Sequence, residues 1–349
     1  MSLRTTIQKK FQNLFVSVIL NESESILRCK VLKDGAIQKT FTKTFTHTES
    51  MEALEKSVEN YLIALQEEYA FVYVAFLLGS MGQGAIAGMG KTSFNHHNVD
   101  IDNVFTVSVN NQWSAYASYI EIKWAKNLFS EVGLDLIYSP FIILNDFVVS
   151  QKLKNKPTCY LLNCQDSFSV AIFDEKKLHF GAFFKTQSDT TFNQTNQTND
   201  WENEEKEEGV TALEELDGFE QDDDDESMND FAELGDIDDI KAVDSFSDMD
   251  DKSLGHFKGM DSMKHEDTSL ELYGRDLLVY KYLKSSLEEY YHNVLYDSAF
   301  IEEIIIFDGY EISSDLIRQL EDDLMMDVEI HKVDVSDRMC DIAIKEVFK

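Results

Sequence analysis

Several features that would point to a particular class of protein are scarce in this chain of 349 residues. It has two prolines and four cysteines, and Cys29, Cys159, Cys164 and Cys340 form no CxxC pair. The sequence therefore indicates no disulfide framework and no cysteine-based zinc site, and buried free thiols in a reducing cytoplasm explain the cysteines best. Basic residues number 31 against 65 acidic ones, so the formal net charge is −34. Because binding to phosphates needs basic surface, this balance argues against a nucleic-acid partner.

Long hydrophobic runs are missing as well. The longest, Ala70–Leu78, has nine residues, whereas about 20 are needed to cross a bilayer. The apolar stretch Leu14–Leu20 is too short for the hydrophobic region of a signal peptide. We therefore expect a cytoplasmic protein without direct membrane insertion, which reaches a membrane only through a partner.

The negative charge is concentrated in one segment. Residues 187–269 contain 28 Asp or Glu against five Lys, a net charge of −23. Low hydrophobicity combined with high charge predicts a disordered insertion. Inside it, Phe231, Leu234, Ile237 and Ile240 recur every third residue, and we predict that they bind a groove of a partner. A solvated loop with residual stickiness, or an acidic loop that covers basic surface of its own core, remain alternatives.

The order of predicted elements is repeated along the chain. Each half begins with three predicted strands, followed later by buried strands and amphipathic helices. The opening strands are Phe15–Leu20, Ser25–Leu32 and Ala36–Thr44 in the first half and Cys159–Asn163, Ser169–Phe173 and Leu178–Lys185 in the second. We predict an α/β protein of two lobes, residues 1–150 and 151–349. The first lobe includes a small inserted subdomain around residues 79–138, and the second includes the acidic insertion.

Three further segments give more local predictions. The glycine-rich stretch Gly79–Gly90 predicts a mobile loop, and Gln112–Val132 predicts one long helix that ends at Gly133. Trp113 and Trp124 would then lie on one face of that helix. At the C terminus, Val328–Val333 and Asp341–Val347 are predicted to contribute a final strand element.

The repeated order of elements and the amino-acid sequences of three segments resemble a known fold. The segments are Thr158–Thr186, Asn103–Leu144 and Glu302–Leu324. They are similar to the actin-like ATPase fold of actin, Hsp70 and sugar kinases. Within it, they resemble most the PilM-like and GspL-like cytoplasmic assembly-platform proteins of type IV pili and type II secretion. The resemblance implies a two-lobed, ribonuclease H-like duplication and a cleft that binds ATP and magnesium.

The loops that would hold the nucleotide depart from the family pattern. Active relatives have turns like D-x-G-x-[ST], whose glycines let backbone amides approach the phosphates. Here Glu22 and Cys164 stand where those glycines belong. Asp166, Asp308 and Gly309 remain as the residues that would bind ATP and magnesium if a nucleotide binds. We therefore predict a pseudo-ATPase with no catalytic residues.

Two short motifs could be interpreted as other functional sites, one as a phosphate-binding loop and the other as a metal site. Gly84–Thr92 reads GAIAGMGKT, but its first glycine lies one residue too far from Gly-Lys-Thr, and Ser93–Asp102 lacks a helical period. His96 and His97 would point to opposite faces of a strand, and no second ligand pair has suitable spacing. The sequence therefore predicts neither site.

The resemblance and the lost loops together predict a non-catalytic cytoplasmic scaffold of a membrane-spanning machine, such as a type IV pilus, a secretion system, a DNA-uptake system or a motor. Such a scaffold would bind the short cytoplasmic tail of an inner-membrane protein near Asn103–Val132, and homo-oligomers or rings are compatible with it. The alternative is an active ATPase or kinase with drifted loops that uses Asp166 and Asp308 on magnesium.

Overall fold

The computed structural model describes residues 8–46, 53–151, 154–175, 177–186 and 263–349. In the first part of the chain, five strands form a sheet in the order β3-β2-β1-β4-β8. They are β1 (Asn13–Leu20), β2 (Glu24–Lys33), β3 (Ala36–Thr46), β4 (Phe71–Leu77) and β8 (Leu136–Tyr138). Strands β1 to β3 are antiparallel neighbours, whereas β4 is parallel to both β1 and β8.

The second part of the chain builds the same sheet again, in the order β11-β10-β9-β12-β13. Its strands are β9 (Thr158–Asn163), β10 (Ser167–Asp174), β11 (Lys177–Lys185), β12 (Glu303–Asp308) and β13 (Asp327–Lys332). The directions of pairing are also the same. The protein therefore has the two-lobed, actin-like duplication that the sequence predicted, and that prediction is confirmed.

Seven helices accompany the two sheets in the described residues. They are α1 (Lys56–Glu68), α2 (Gly90–His96), α3 (Tyr119–Leu128), α4 (Pro140–Ser150), α5 (Met263–His292), α6 (Ser314–Leu324) and α7 (Val335–Val347). Helices α1 and α3 pack on the first sheet through a shared apolar core, and α5 and α6 do the same on the second sheet. None of the helices in the described ranges has the length and hydrophobicity needed to span a membrane.

A small antiparallel sheet is inserted between β4 and β8. It consists of β5 (Gln83–Ala87), β6 (Val104–Val109) and β7 (Trp113–Ser118), in the order β5-β7-β6. The predicted helix over Gln112–Val132 is thus wrong in its first part, because residues 113–118 pair as a strand with both neighbours. The hydroxyl of Ser118 accepts a hydrogen bond from the Ile120 amide, which begins α3 where β7 ends.

Two other local predictions are corrected. Gly79–Gly90 is not one loop, because β5 lies within it, and Gly90–His96 forms α2 although the sequence showed no helical period there. The C-terminal residues 341–347 are not a strand but the end of α7. This helix begins after Asp334, whose carboxylate accepts a hydrogen bond from the Asp337 amide at 2.8 Å.

The last helix of each lobe packs against the other lobe. Helix α4 follows the first sheet but contacts β9 and β10, and α7 follows the second sheet but contacts β1, β2 and β4. Between the sheets lies a third apolar core that includes Phe15, Leu162 and Phe307. The side chain of Lys30 on β2 is 5% exposed and contacts Asp337 and Asp341 of α7 at 2.8 and 2.6 Å. This reciprocal packing fixes the position of the cleft between the lobes.

The inserted sheet also contacts the second lobe. Gly181 of β11 lies so close to β5 that a Cβ atom there would come within 2.8 Å of the Ala85 carbonyl oxygen. Trp113 of β7 is buried, and its ring packs edge to face with Phe173 of β10 at 5.8 Å. The inserted three-stranded sheet therefore forms a second set of contacts across the cleft.

Candidate functional site

Two turns from different lobes meet at the cleft. One is the turn Asn21–Ser23 after β1, and the other is the turn Cys164–Asp166 after β9, so they occupy equivalent places in the two sheets. The Glu22 amide donates a hydrogen bond to Asp166 Oδ2 at 2.6 Å, and Asn21 Nδ2 donates one to Gln165 Oε1 at 2.8 Å. The first turn therefore contacts the second directly.

The second turn surrounds a buried guanidinium group. Arg275 of α5 is 8% exposed. Its Nε donates to the Gln165 carbonyl at 2.9 Å, and its Nη2 donates to the Cys164 carbonyl and to Asn163 Oδ1. The guanidinium also lies 4.9 Å from the centre of the Tyr310 ring. The turn thus offers carbonyl oxygens to a cation.

The charge of Arg275 is balanced by nearby acids. Asp276 Oδ1 lies 3.8 Å from Arg275 Nη1, and Asp276 Oδ2 accepts a hydrogen bond from the Ser313 amide at 3.1 Å. Burial lowers the pKa of Arg275, and the Asp276 carboxylate opposes this change. Burial also raises the pKa of Asp276, which the contacts with Ser313 and Arg275 oppose. Arg275 and Asp276 are therefore a buried ion pair whose members depend on each other.

Asp308 and Gly309, which would contact the nucleotide if one binds, are engaged in packing. Asp308 Oδ1 accepts a hydrogen bond from Asn163 Nδ2 at 2.7 Å. The Gly309 amide donates to the Asn163 carbonyl at 2.9 Å, and a Cβ atom at Gly309 would come within 2.9 Å of Val335 Cγ2. Contact with β9 and α7 therefore explains this glycine without a ligand.

Asp166, the third predicted residue, faces the first lobe. Burial raises the pKa of its carboxyl group, and the hydrogen bond from the Glu22 amide opposes that shift. In the alternative of an active ATPase or kinase, Asp166 and Asp308 would hold magnesium together. In the structure the two carboxylates have different partners, Glu22 and Asn163. Within the described residues, no three His, Cys, Asp or Glu side chains are grouped closely enough to hold a metal ion.

These contacts do not fit a bound ATP. A phosphate group in this fold needs free amides and space between the two turns. The Cys164 amide donates to the Ser167 carbonyl at 2.9 Å, the Glu22 amide donates to Asp166, and the carbonyls face Arg275. The residues present therefore hold the two turns together instead of binding a triphosphate between them.

A cavity of about 660 Å³ lies beside the joined turns. Its apolar wall is formed at the ends of β1 and β4 and along α3, by Leu20, Phe76, Leu77, Ile120 and Trp124. Its polar lining includes three carboxylates, of Glu22, Glu121 and Asp166, and one ammonium group, that of Lys185. Ile120 is 77% exposed. Since exposed apolar surface beside a concave wall is typical of binding sites, the cavity is the candidate docking site.

Sequence reasoning missed Arg275 and Asn163, although Arg275 carried a signal. The buried residues of α5 follow a helical period through Asp276, Val279, Leu283, Leu287 and Tyr290. A charged pair on that apolar stripe is unusual and marks a buried ion pair. The residues predicted to bind a partner, Phe231, Leu234, Ile237 and Ile240, lie outside the described residues.

Comparison with known families finds two matching family models. A family model described as a domain of unknown function, DUF8341, matches residues 159–348, which is more than half of the chain. The chain belongs to the DUF8341 family. A second domain of unknown function, DUF8569, matches residues 11–145. No curated protein matches this DUF8341 chain.

Solved structures similar to this DUF8341 protein share little sequence with it. A chain of a PilM–PilN type IV pilus biogenesis complex is similar at 11% identity, with a TM-score of 0.49. The match covers 97% of this chain and 96% of the matched chain. A Bacteroides thetaiotaomicron protein with an actin-like ATPase fold and unknown function matches 98% and 99% at 11% identity, with a TM-score of 0.44. The ethanolamine utilization protein EutJ from Carboxydothermus hydrogenoformans matches 94% and 88% at 7% identity, with a TM-score of 0.40. The assignment of the actin-like fold therefore rests on the strand order of the two sheets.

Proposed function

We propose that this protein is a non-catalytic scaffold whose two lobes stay closed without a nucleotide, and that it binds a short peptide from a partner protein. The observation that carries this proposal is the Arg275 guanidinium inside the second turn. It occupies the carbonyl oxygens of the loop where an active relative would present amides to phosphate.

Turnover of ATP has little support in this geometry. Hydrolysis would require the turns to separate, which breaks the contacts from Glu22 to Asp166 and from Asn21 to Gln165. It would also bring phosphate charges toward the Glu22 carboxylate, which lines the same cavity. Because like charges repel, that position disfavours an anionic ligand.

The cavity beside α3 supports peptide binding. Its apolar wall suits one or two hydrophobic side chains, and its three carboxylates against one lysine suit a basic neighbour. The cytoplasmic ends of inner-membrane proteins are enriched in Lys and Arg. We infer that the ligand is the short cytoplasmic tail of such a protein, as expected from the resemblance to PilM-like platforms. The protein would then lie at the inner membrane through that partner, in a pilus, secretion, DNA-uptake or motor assembly.

Calorimetric titration with magnesium-ATP tests the first half of the proposal, with magnesium-ADP as the control. We expect no heat of binding and no thermal shift. Binding in the micromolar range, about −8 kcal/mol, would overturn the proposal and make nucleotide-driven switching the leading explanation.

Capture from detergent-solubilised membranes tests the second half, with three full-length baits. The wild-type chain should retain a membrane-anchored protein with a short cytoplasmic tail. Ile120→Lys adds a charge to the apolar wall of the cavity, and this bait should not retain the membrane-anchored protein. Ile63→Lys, on the exposed side of α1, is the matched control and should keep it.

A fourth bait separates the cavity from the acidic insertion. It carries serine in place of Phe231, Leu234, Ile237 and Ile240. If this bait loses the partner while Ile120→Lys retains it, the insertion and not the cavity is the docking element.

A further inference from the structure

Strand β6 is an open edge of the inserted sheet. The order β5-β7-β6 leaves one side of β6 without a neighbouring strand in the described part of the chain. Its sequence, VFTVSV, is rich in β-branched and aromatic residues and contains no charge. An exposed, uncharged edge strand is a template for pairing with another strand.

The other edge strands of the described sheets differ from β6. Strand β8 has only three residues, and β11 carries Lys177 and Lys185. Strand β3 carries Lys39 and Lys43, and β13 carries four titratable side chains in six residues. Strand β5 is uncharged, but β11 covers it through the close approach of Gly181 to Ala85. Charged side chains and covering elements are the usual means of preventing edge-to-edge association. Strand β6 has neither.

Two large apolar side chains of β6 are in contact with water. Phe105 is 46% exposed and Val107 is 57% exposed. They lie on one face of the strand, opposite Ala117 and Ala115 of β7. The Phe105 ring is held in place by Tyr119, at 4.4 Å between ring centres, and by the Lys126 ammonium group at 5.8 Å. The exposed surface is therefore supported by neighbouring side chains.

The sequence of β6 is complementary to itself. In an antiparallel pair centred on Thr106, residue 105 lies opposite residue 107 of the second strand, and Thr106 lies opposite Thr106. Aromatic side chains then meet β-branched ones on one face, and threonines meet on the other, which are favourable cross-strand pairs. Val104 lies opposite Ser108 in the same register.

We propose that β6 pairs with β6 of a second copy of this chain across a two-fold axis, so that two inserted sheets become one sheet of six strands. A symmetric contact of this kind is the commonest route to a dimer. The net charge of −34 opposes the association of two copies, so a contact between them costs least where the surface carries no charge. The six residues of β6 provide such a surface.

Sedimentation velocity of the full-length protein over a wide range of concentration tests this proposal. Wild type should shift toward twice its mass of 40.1 kDa as the concentration rises. Thr106→Lys and Thr106→Glu, each alone, should remain monomeric, because like charges would then face each other at the two-fold axis. An equimolar mixture of the two variants should recover the dimer.

If general charge repulsion controlled association, Thr106→Lys would have the opposite effect, so the test distinguishes the two explanations. Thr106→Lys changes the net charge from −34 to −33, so general repulsion would weaken and association would increase slightly. Thr44→Lys, on the exposed and lysine-containing edge strand β3, is the matched control and should dimerise like wild type. Circular dichroism confirms that each variant is folded.

Three outcomes would overturn the proposal. One is a wild-type protein that stays monomeric at every concentration. Another is a dimer that survives both substitutions. The third is a mixture of the two variants that does not recover the dimer, which would show that Thr106 does not face Thr106 across a two-fold axis.

Discussion

The two lobes have the same strand order, yet their first turns are used in opposite ways. The turn after β1 donates hydrogen bonds across the cleft, from the Glu22 amide and the Asn21 side chain. The turn after β9 accepts hydrogen bonds from Arg275 of its own lobe. In an actin-like ATPase both turns would present amides to phosphate. Here the turn of the second lobe binds the Arg275 side chain, and the turn of the first lobe contacts Gln165 and Asp166 of that second turn.

This difference indicates how an actin-like fold can stay closed without a ligand. Binding a nucleotide stabilises the closed lobes of an ATPase only while the nucleotide is present. A side chain of the protein itself is always present, and its desolvation is part of folding. Under the proposed function, the closed cleft is a fixed surface to which a partner can bind.

Removing the internal cation should have the largest effect on the second lobe. Arg275→Ala leaves Asp276 as a buried charge and removes the donor to Asn163, Cys164 and Gln165. We expect the free energy of unfolding to fall by about 3–5 kcal/mol, measured by denaturant titration. Arg318→Ala is the matched control, because Arg318 is 73% exposed in an ion pair with Asp315. Equal losses for the two variants would mean that Arg275 has no special role.

Two equivalent glycines sharpen the comparison between the lobes. A Cβ atom added at Gly79, after β4, would meet open space, with nothing beyond its chain neighbours within 4 Å. At Gly309, after β12, a Cβ atom would meet Val335 Cγ2 at 2.9 Å. Gly309→Ala should therefore destabilise the protein by about 1–3 kcal/mol, and Gly79→Ala should change stability little. Thermal unfolding measures both, and a larger loss for Gly79→Ala would contradict the packing explanation for Gly309.

The smallest expected effect concerns the inserted sheet, which in the described residues belongs to the first lobe alone. The ring centre of His97 in this subdomain lies 5.9 Å from the ring centre of Tyr296 in the second lobe. Burial lowers the pKa of His97 below the usual 6.5. A histidine with a lowered pKa in the folded state takes up its proton more readily in the unfolded chain. Its contribution to stability is therefore complete above pH 6.5 and is lost as the pH falls from there toward its pKa in the folded protein.

The His97→Gln variant isolates this contribution from other acid-titrating groups. His96 lowers the pKa of His97 further, and it is retained in the variant. The unfolding midpoint of wild type should fall more steeply than that of His97→Gln as the pH drops below 6.5. Parallel curves would show that His97 does not titrate in the contact between the inserted sheet and the second lobe.

Much of the fold could be predicted from the sequence, because most of its elements have a strong local signal. The turn between β2 and β3 is an example. Asp34 and Gly35 both adopt positive φ, 54° and 78°, which is the conformation that an Asp-Gly hairpin turn requires. The alternation or continuity of apolar residues on the flanking strands, together with the amphipathic period of α1 and α6, predicted the duplicated order.

The errors fall where tertiary contacts decide between helix and strand. Residues 113–118 became β7 because β5 and β6 lie on either side of them, a non-local cause that no short pattern carries. The segment Gly90–His96 forms a single short helix that packs Phe94 into the inserted subdomain against Tyr116, although its sequence has no helical period. At the C terminus the signal is local, because Asp334 is a helix-capping residue and marks the start of α7.

The sequence by itself determined the two-lobed α/β architecture, since that architecture depends on residue types at fixed spacing. Only the tertiary structure decided which side chain lies inside the second turn. Arg275 is 110 residues from Gln165 along the chain, and their contact exists only because α5 packs on the second sheet. The exposure of β6 was decided in the same way. An edge is a property of a whole sheet, and it forms only once β7 has paired with both of its neighbours.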